Sequence, residues 1–296
     1  ENIYGCMDEL AENYNSDANM DDGSCEYPDN GDYSLSFEEG DEIIYNTSGG
    51  YIYQPNEASI VAWVKISSDD TGWSCFLNNG AEAGHMFLGT GYDSNIIFTI
   101  LEEGQGFSWI SATTGPLSLG QWYFITGVYN RLEQKIMLYI NGELVDSKTI
   151  TGTNLVTDPG NTLTESFNGG NLDEVSFWTK ALTQSQIQFY MSIPPTVNEE
   201  GLAGYYKFNA GSGDILYDHS GNGNHGTIHG ATWSTDVPLT DIYGCTHPNA
   251  SNYDETANVD DGSCSYPDGF SCSVSDECEA AFCDVCGECG NTNVGT

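Results

Sequence analysis

Residues 135–150 read Lys135-Ile-Met-Leu-Tyr-Ile-Asn-Gly-Glu-Leu-Val-Asp-Ser-Lys-Thr-Ile150. Two runs rich in branched and aromatic residues flank Asn141-Gly142. Asn-Gly is favoured in two-residue hairpin turns because both of its residues tolerate the positive φ angles that the turn requires. The stretch therefore predicts an antiparallel β-hairpin with strands over 135–140 and 143–150.

Similar short apolar runs recur along the middle of the chain, with turn residues between them. Further strands are predicted over 59–66, 95–101, 121–129 and 172–178. One helix is predicted over 183–191, because Thr183 can cap its start and Gln186 follows three places later, as in a capping box. Many short strands at this spacing predict an all-β fold, an antiparallel β-sandwich or jelly roll.

The chain is strongly acidic, with 44 Asp and Glu residues, 6 Lys and Arg residues and a net charge of −38. This balance excludes non-specific nucleic-acid binding and attraction to an anionic membrane, since both depend on cations. A hydrophobic content of 39% argues against disorder. No apolar run is long enough to span a bilayer, and we expect an exported protein whose signal peptide has been removed.

The basic residues all lie between Lys65 and Lys207, so both ends of the chain carry acids without a base. Such ends repel themselves unless counter-ions bind to them. Ca²⁺, which prefers oxygen ligands, is the cation expected there. The alternative is a surface that is acidic only for solubility.

A short module at 3–29 recurs at 242–268. The copies share Ile-Tyr-Gly-Cys at 3–6 and 242–245, Asp-Asp-Gly-Ser-Cys at 21–25 and 260–264, and Tyr-Pro-Asp at 27–29 and 266–268. A module of this size cannot bury a core, so it needs a covalent link. We predict disulfides joining Cys6 to Cys25 and Cys245 to Cys264, each worth about 3 kcal/mol in the chain-entropy model.

Oxygen-bearing side chains alternate before the glycine of each module, as at the start of an EF-hand loop. The predicted calcium ligands are Asn19, Asp21 and Asp22 in the first copy and Asn258, Asp260 and Asp261 in the second. The glycine comes one place late and no Glu closes the loop. The alternative is therefore a turn that only leads into the cysteine.

The module resembles the short acidic Gly-Cys…Asn-Tyr…Asp-Asp-Gly-Ser-Cys repeats of large secreted and surface proteins from marine bacteria. The resemblance covers nearly all of 3–29 and 242–268. It implies an extracellular, cell-surface location more than an activity.

The central region resembles laminin-G-like, concanavalin-A-like jelly rolls over 33–193. The resemblance rests on segments 33–44, 62–64, 119–124, 138–144 and 171–182. It implies two curved antiparallel sheets and, in many members, one calcium ion. Asp173 matches the position that often supplies a carboxylate to this ion, with Glu39 and Asp41 as co-ligands; the alternative is that Asp173 is an ordinary strand-end acid.

Segments 201–209 and 218–226 resemble the opening of such a domain, yet here they follow its body. Three arrangements are open: the segment completes its own sheet, adds a strand to a neighbouring chain, or forms a separate appendage. Asp218, Asn222 and Asn224 are candidate cation ligands, and the alternative is a glycine-rich turn.

These features predict five regions. They are a first acidic repeat at 1–29, a jelly roll at 30–193, a displaced strand segment at 194–240, a second acidic repeat at 241–268 and a cysteine-rich tail at 269–296.

The tail contains five cysteines, Cys272, Cys278, Cys283, Cys286 and Cys289. Export favours disulfides over a zinc or iron–sulfur site. Because five cysteines cannot all pair with one another, either one of them reaches Cys75, in this chain or another, or one thiol stays reduced.

No catalytic centre is predicted. Jelly-roll glycoside hydrolases carry two carboxylates across the scissile bond, in the pattern Glu-x-Asp-x-x-Glu. The corresponding stretch, residues 171–176, lacks the first and the last Glu.

Two functions remain open. The first is a calcium-stabilised structural or adhesive protein of the cell surface that self-associates into a fibre or filament, alone or with other surface proteins. The second is a lectin-like module whose exposed aromatic residues stack on glycans, with Trp73, Trp109 and Tyr92 as candidates.

Overall fold

A computed structural model describes residues 2–45, 56–67, 74–78, 86–91, 94–104, 106–151, 154–155, 162–164, 167, 169–238, 243–248, 250–253, 259–260 and 263–265. The chain divides into two compact units, Glu1–Pro238 and Leu239–Thr296. The first repeat, the sandwich and the segment that follows it all belong to the first unit.

The strands of the first unit are numbered in chain order. They are β1 (Tyr4–Gly5), β2 (Met20–Asp21), β3 (Ser34–Phe37), β4 (Glu42–Tyr45), β5 (Glu57–Ile66), β6 (Ser74–Asn78), β7 (Met86–Thr90), β8 (Asn95–Gly104), β9 (Gly106–Pro116), β10 (Trp122–Asn130), β11 (Lys135–Ile140), β12 (Glu143–Thr149), β13 (Asn154–Leu155), β14 (Thr162–Thr164), β15 (Gly170–Trp178), β16 (Leu202–Tyr206), β17 (Ile215–Leu216), β18 (Gly226–His229) and β19 (Thr232–Ser234). The helix α1 (Gln184–Ser192) lies between β15 and β16, and the second unit contains β20 (Tyr243–Gly244) and β21 (Val259–Asp260).

An eight-stranded sheet, called the large sheet below, forms one layer of the sandwich. Its order is β12-β11-β10-β5-β15-β3-β19, with β16 also paired to β15. A five-stranded sheet of β13, β8, β7, β6 and β9 and a four-stranded sheet in the order β14-β4-β18-β17 contribute the other side of the core. The predicted antiparallel β-sandwich is confirmed.

Strand β5 shows why the large sheet is covered on both faces. Ile60, Ala62 and Val64 pack into the core between the sheets. Val61 and the partly buried Trp63 point the other way, into a second core under α1. A strand buried on both faces carries a nearly continuous apolar run, and β5 has that composition.

The predicted hairpin is present as β11 and β12. Asn141 has φ 49° and Gly142 has φ 75°, which are the positive angles that the Asn-Gly turn supplies. The turn is also held from the next strand, because the Phe124 backbone N–H donates to Asn141 Oδ1 at 2.9 Å.

The predicted helix is confirmed one residue later than expected. Thr183 caps it, and the side chains of Thr183 and Gln186 form the reciprocal capping box. The helix buries Ile187 and Tyr190, and the Tyr190 ring lies 4.7 Å from that of Trp178 in β15.

The displaced segment pairs with strands of its own chain. Strand β16 is antiparallel to β15, β18 to β4, and β19 to β3. Of the three arrangements left open by the sequence, this is the one in which the segment completes its own sheets.

Both acidic repeats have the same small fold. Disulfides join Cys6 to Cys25 and Cys245 to Cys264, as predicted. In each repeat the Tyr-Gly strand pairs in parallel with a two-residue strand, with Tyr4 opposite Met20 and Tyr243 opposite Val259. The tail cysteines lie outside the described residues, and Cys75 is half-buried in β6.

Candidate functional site

The residues predicted to bind calcium in the first repeat form turn contacts. Asp21 Oδ1 accepts a hydrogen bond from the Gly23 N–H at 2.9 Å. Asp22 Oδ1 accepts one from the Ser24 N–H at 3.0 Å, and Asn19 Oδ1 accepts one from the Ile3 N–H at 3.0 Å. These are the contacts of the alternative interpretation, in which short polar side chains hold a turn that leads into the cysteine.

Only one of the three predicted calcium ligands of the second repeat lies in the described part of the chain. Asn258 and Asp261 lie outside the described residues. Asp260 is described as the last residue of β21, where it is paired with Gly244.

Asp218 is a buried carboxylate surrounded by donors. Its Oδ1 accepts from the N–H groups of Tyr205 and Ser220, both at 2.9 Å. Its Oδ2 accepts from the Ser220 hydroxyl at 2.9 Å and the Asn224 N–H at 2.8 Å. The Asn222 and Asn224 side chains donate to backbone carbonyls of β16. These three candidate cation ligands therefore fasten their loop to the large sheet.

Asp173 lies on the large sheet with 1% of its surface exposed. Its Oδ1 accepts from the Glu174 N–H at 2.8 Å, whereas Oδ2 is buried without a hydrogen-bond partner among the described residues. Burial raises the pKa of Asp173 well above its usual value, and the charges of Glu174 and Asp32 raise it further.

Glu174 belongs to the same acidic pocket, which we define as Asp32, Asp173 and Glu174. The Tyr205 hydroxyl donates to Glu174 Oε2. Burial raises the pKa of Glu174 to about 7, although this hydrogen bond and the nearby Lys207 act in the opposite direction. Asp32 and Glu174 were not among the predicted ligands, because only the folded chain brings Asp32 to β15.

Glu39 and Asp41 do not join this pocket, which corrects their prediction as co-ligands of Asp173. Phe37 pairs with Gly170 and Leu35 with Leu172. The turn after β3 therefore lies beyond one end of β15, whereas Asp173 lies inside the strand. At about 3.3 Å per residue the separation along the sheet is roughly 15 Å. Asp41 instead caps its own turn, accepting from the Glu38 N–H at 2.7 Å.

Within the described ranges, no group of three or more His, Cys, Asp or Glu side chains is arranged to hold a metal ion.

The first repeat docks on the loop that contains Asp218. The Tyr27 hydroxyl donates to Asp8 Oδ2 at 2.6 Å, and the buried His225 contacts the same oxygen through Nε2. Because the Asp218 N–H donates to His225 Nδ1 at 2.9 Å, Nε2 is the nitrogen that carries the proton. The Tyr27 ring also stacks on Tyr217 at 5.2 Å.

Sequence reasoning missed this docking contact, although one signal was available. The residue of the second repeat that corresponds to Asp8 is His247. Several other positions also differ between the two modules, among them Met7 and Thr246, so this difference alone did not single out the contact.

A cavity of about 410 Å³ lies between the first repeat and the sandwich. The repeat contributes Met7, Asp8, Asp21, Gly23, Cys25 and Tyr27 to its wall. The opposite wall comes from 195–223 and includes Val197, Tyr205, Lys207, His219 and Asn222. This volume falls in the range of small-molecule sites, about 300–1,000 Å³.

A narrow polar and aromatic surface lies on the five-stranded sheet. Trp109 of β9 is 49% exposed, and its ring meets that of the buried Phe87 edge to face at 6.0 Å. Ser111 and Thr113 follow at alternate positions of the same strand, so their side chains share its face. We call Trp109, Ser111 and Thr113 the β9 strip. Trp73 and Tyr92, the other predicted stacking residues, lie outside the described residues.

Two solved structures are similar to this one to different degrees. A protein from Bacteroides ovatus, assigned as a carbohydrate-binding protein, matches with a TM-score of 0.55 and 19% identity over 77% of this chain and 67% of its own. A heptameric SAP-like pentraxin from Limulus polyphemus matches with a TM-score of 0.45 and 15% identity over 60% of this chain and 92% of its own. No curated protein matches the chain.

At such identities a structural match shows only a shared fold. The family assignment rests instead on the sequence, because residues 31–188, more than half of the chain, match a laminin G family described as the concanavalin A-like lectin/glucanases superfamily. The chain belongs to this superfamily.

Proposed function

We propose that the chain is a non-catalytic, extracellular carbohydrate-binding module that uses the β9 strip as a stacking surface. The observation that carries this proposal is the half-exposed Trp109, held in place by Phe87 beside side chains with hydroxyl groups. An indole that keeps half of its surface in solvent while it packs against a buried ring is fixed in position before any ligand arrives.

The chemistry of the strip suits a sugar ring. The apolar C–H face of a sugar packs on an indole, and its hydroxyls need donors and acceptors at the edge of the contact. Thr113 supplies a hydroxyl, whereas the Ser111 hydroxyl is already hydrogen-bonded to that of the buried Thr99. The Thr113 N–H donates to Asp146 Oδ2 at 3.0 Å. Partial burial raises the pKa of Asp146, but Lys148 and the hydrogen bonds from the Thr113 and Ser147 N–H groups together lower it by more, so Asp146 is an ionised acceptor beside the strip.

The carboxylates of the described residues support a non-catalytic function. A glycoside hydrolase needs a carboxylic acid that stays protonated near neutral pH at the scissile bond. In the cavity wall, burial raises the pKa of Asp8, but the bonds from Tyr27, Leu10 and His225 lower it by more. Glu174, whose pKa is raised, is not among the residues that line the cavity.

Other findings support the proposal. The similar structure from Bacteroides ovatus is assigned as carbohydrate-binding. The disulfides of the two repeats suit an oxidising, extracellular location. The helix α1 has nine residues, and no described helix is long and apolar enough to cross a bilayer.

We also propose that Ca²⁺ stabilises the acidic pocket. The buried Oδ2 of Asp173 without a described partner, next to two further carboxylates, is an arrangement that a divalent cation would neutralise. Asp173 would supply an oxygen to the ion, and the ion would offset the repulsion of Asp173 by the charges of Glu174 and Asp32. The ion would provide charge neutralisation rather than chemistry.

Self-association into a filament stays a prediction and takes second place. It was motivated in part by the displaced strand segment, whose strands pair within the chain. The strands of that segment therefore already have partners in their own chain, whereas Trp109 of the β9 strip is exposed.

The proposal is tested by screening the purified protein on a glycan array and comparing it with Trp109→Ala. We expect Trp109→Ala to lose at least tenfold in affinity for at least one glycan that the wild type binds, and Trp109→Phe to keep part of that affinity. Phe189→Ala is the matched control, because Phe189 is 52% exposed on α1. Equal binding by the wild type and Trp109→Ala would refute the assignment of the strip.

A further inference from the structure

The cavity between the first repeat and the sandwich contains polar groups that the fold leaves without a described partner. His219 Nε2 is buried and forms no hydrogen bond to the described part of the chain. Lys207 Nζ has only a long contact of 3.9 Å to Asp29. Asp21 Oδ1 accepts a hydrogen bond within its own turn, and Asp21 also lines the cavity. A buried polar atom without a partner is unfavourable, so a ligand that reaches and satisfies it gains from the contact.

The charges around the cavity restrict the ligand. Asp8 and Asp21 stand on one wall, and the net charge of −38 disfavours an anion throughout. Lys207 on the other wall offsets part of this negative charge and so weakens the preference for a cation. A neutral molecule that offers donors and acceptors together can satisfy the imidazole, the ammonium and the carboxylate at once.

The protonation state of His219 agrees with a neutral ligand. Burial, and to a lesser degree the nearby Lys207, lower the pKa of His219 to about 4. The ring is therefore uncharged at neutral pH, and Nε2 can donate to or accept from a hydroxyl according to its tautomer.

Flat and apolar side chains complete the wall. Tyr27 lies 5.2 Å from the His219 ring and Tyr205 lies 6.3 Å from it, both edge to face. Val197 stands at the rim with 48% of its surface exposed. Rings, one aliphatic edge and scattered polar groups are the mixture that a sugar ring requires.

We propose that this cavity is a second carbohydrate site, for a neutral mono- or disaccharide, built jointly by the first acidic repeat and the 195–223 segment. The inference rests on the proposed function for the ligand class, but not on the β9 strip. It gives the first repeat a direct part in binding, which the second repeat cannot copy because His247 replaces Asp8 at the docking contact.

Backbone conformation supports a built cavity. Gly23 and Gly221 have φ of 72° and 88°, and a methyl group added to either would lie 2.6 Å from the Asn198 side chain. Asn198 thus fits between the repeat and the 221–223 loop only because both neighbours lack a side chain. This close fit fixes the spacing of the two walls.

The test uses Val197→Trp, which places a large side chain at the rim from an exposed position and so leaves the core intact. Leu132→Trp is the matched control, since Leu132 is 76% exposed in the turn after β10. The full chain, each variant and Trp109→Ala are titrated calorimetrically with glucose, galactose, N-acetylglucosamine, maltose and lactose. The histidine ring signals are followed by NMR in the same titrations, with His219→Phe identifying the His219 signal.

We expect at least one sugar to shift the His219 signal in the wild type, Leu132→Trp and Trp109→Ala, and at least a tenfold loss of that binding in Val197→Trp. Sugar binding that Trp109→Ala abolishes and Val197→Trp leaves unchanged would overturn the cavity site while keeping the proposed function. Absence of binding by the wild type to all five sugars and to the glycan array would overturn both.

Discussion

Replacing Glu174 by Gln tests whether an ionised Glu174 destabilises the acidic pocket at neutral pH. The pKa of Glu174 is about 7 in the folded chain and about 4.5 in the unfolded chain. Because the folded value is higher, the native state holds the proton more tightly. The contribution of protonated Glu174 to the free energy of unfolding is fully present below pH 4.5 and is lost as the pH rises through 7.

The size of the effect follows from the same two values. Each pH unit between them corresponds to about 1.4 kcal/mol, so ionising Glu174 costs the fold about 3 kcal/mol at neutral pH. Gln resembles the protonated acid and can still accept the hydrogen bond from Tyr205. Glu174→Gln should therefore match the wild type at pH 4 and exceed it by up to about 3 kcal/mol in the free energy of unfolding at pH 7.5.

Urea unfolding from pH 4 to pH 8 in the presence of a chelator measures this difference. Glu133→Gln is the control, because this substitution removes the same charge at a position that is exposed in the turn after β10. The reasoning is refuted if the gain of Glu174→Gln is the same at every pH, or if Glu133→Gln shows the same rise.

Two further predictions concern the docking contact and calcium. Asp8→Ala should lower the free energy that holds the first repeat in place by about 1.5–3 kcal/mol, because hydrogen bonds to a charged group are lost. Amide hydrogen exchange of residues 4–21 should therefore become faster. The exposed Asp17→Ala is the control, and an equal effect there would contradict a specific contact. Millimolar Ca²⁺ should raise the melting temperature of the wild type and of Asp41→Asn but not of Asp173→Asn. A calcium response retained by Asp173→Asn would place the ion elsewhere.

Local patterns in the sequence were enough to predict much of the fold. The Asn141-Gly142 turn and the Thr183–Gln186 capping box depend on residues only a few positions apart. The interactions that form both features lie within a few consecutive residues, so the hairpin and the helix appear where predicted. The same holds for the Cys6–Cys25 disulfide, where the repeat itself showed the pairing.

The candidate sites were less predictable because they depend on register and on distant contacts. Asp8 and His225 meet across 217 positions of sequence, and no short window contains both. The prediction that grouped Glu39 and Asp41 with Asp173 was wrong about proximity, since it lacked the register of β3 against β15. Trp109 was identified as a candidate, but only the fold shows that half of its surface is exposed.

The closure of the sandwich by its last strands has a consequence for how the chain folds. Strand β3 receives β19 as its neighbour, and the Ser34 hydroxyl donates to the Asp236 carbonyl across 202 positions. A contact of such long range forms late, since the intervening loop must first be closed at an entropic cost. A chain emerging from a ribosome or an export channel therefore keeps the edges of β3 and β4 open until 226–234 have emerged, and the sandwich is completed only after that segment is available.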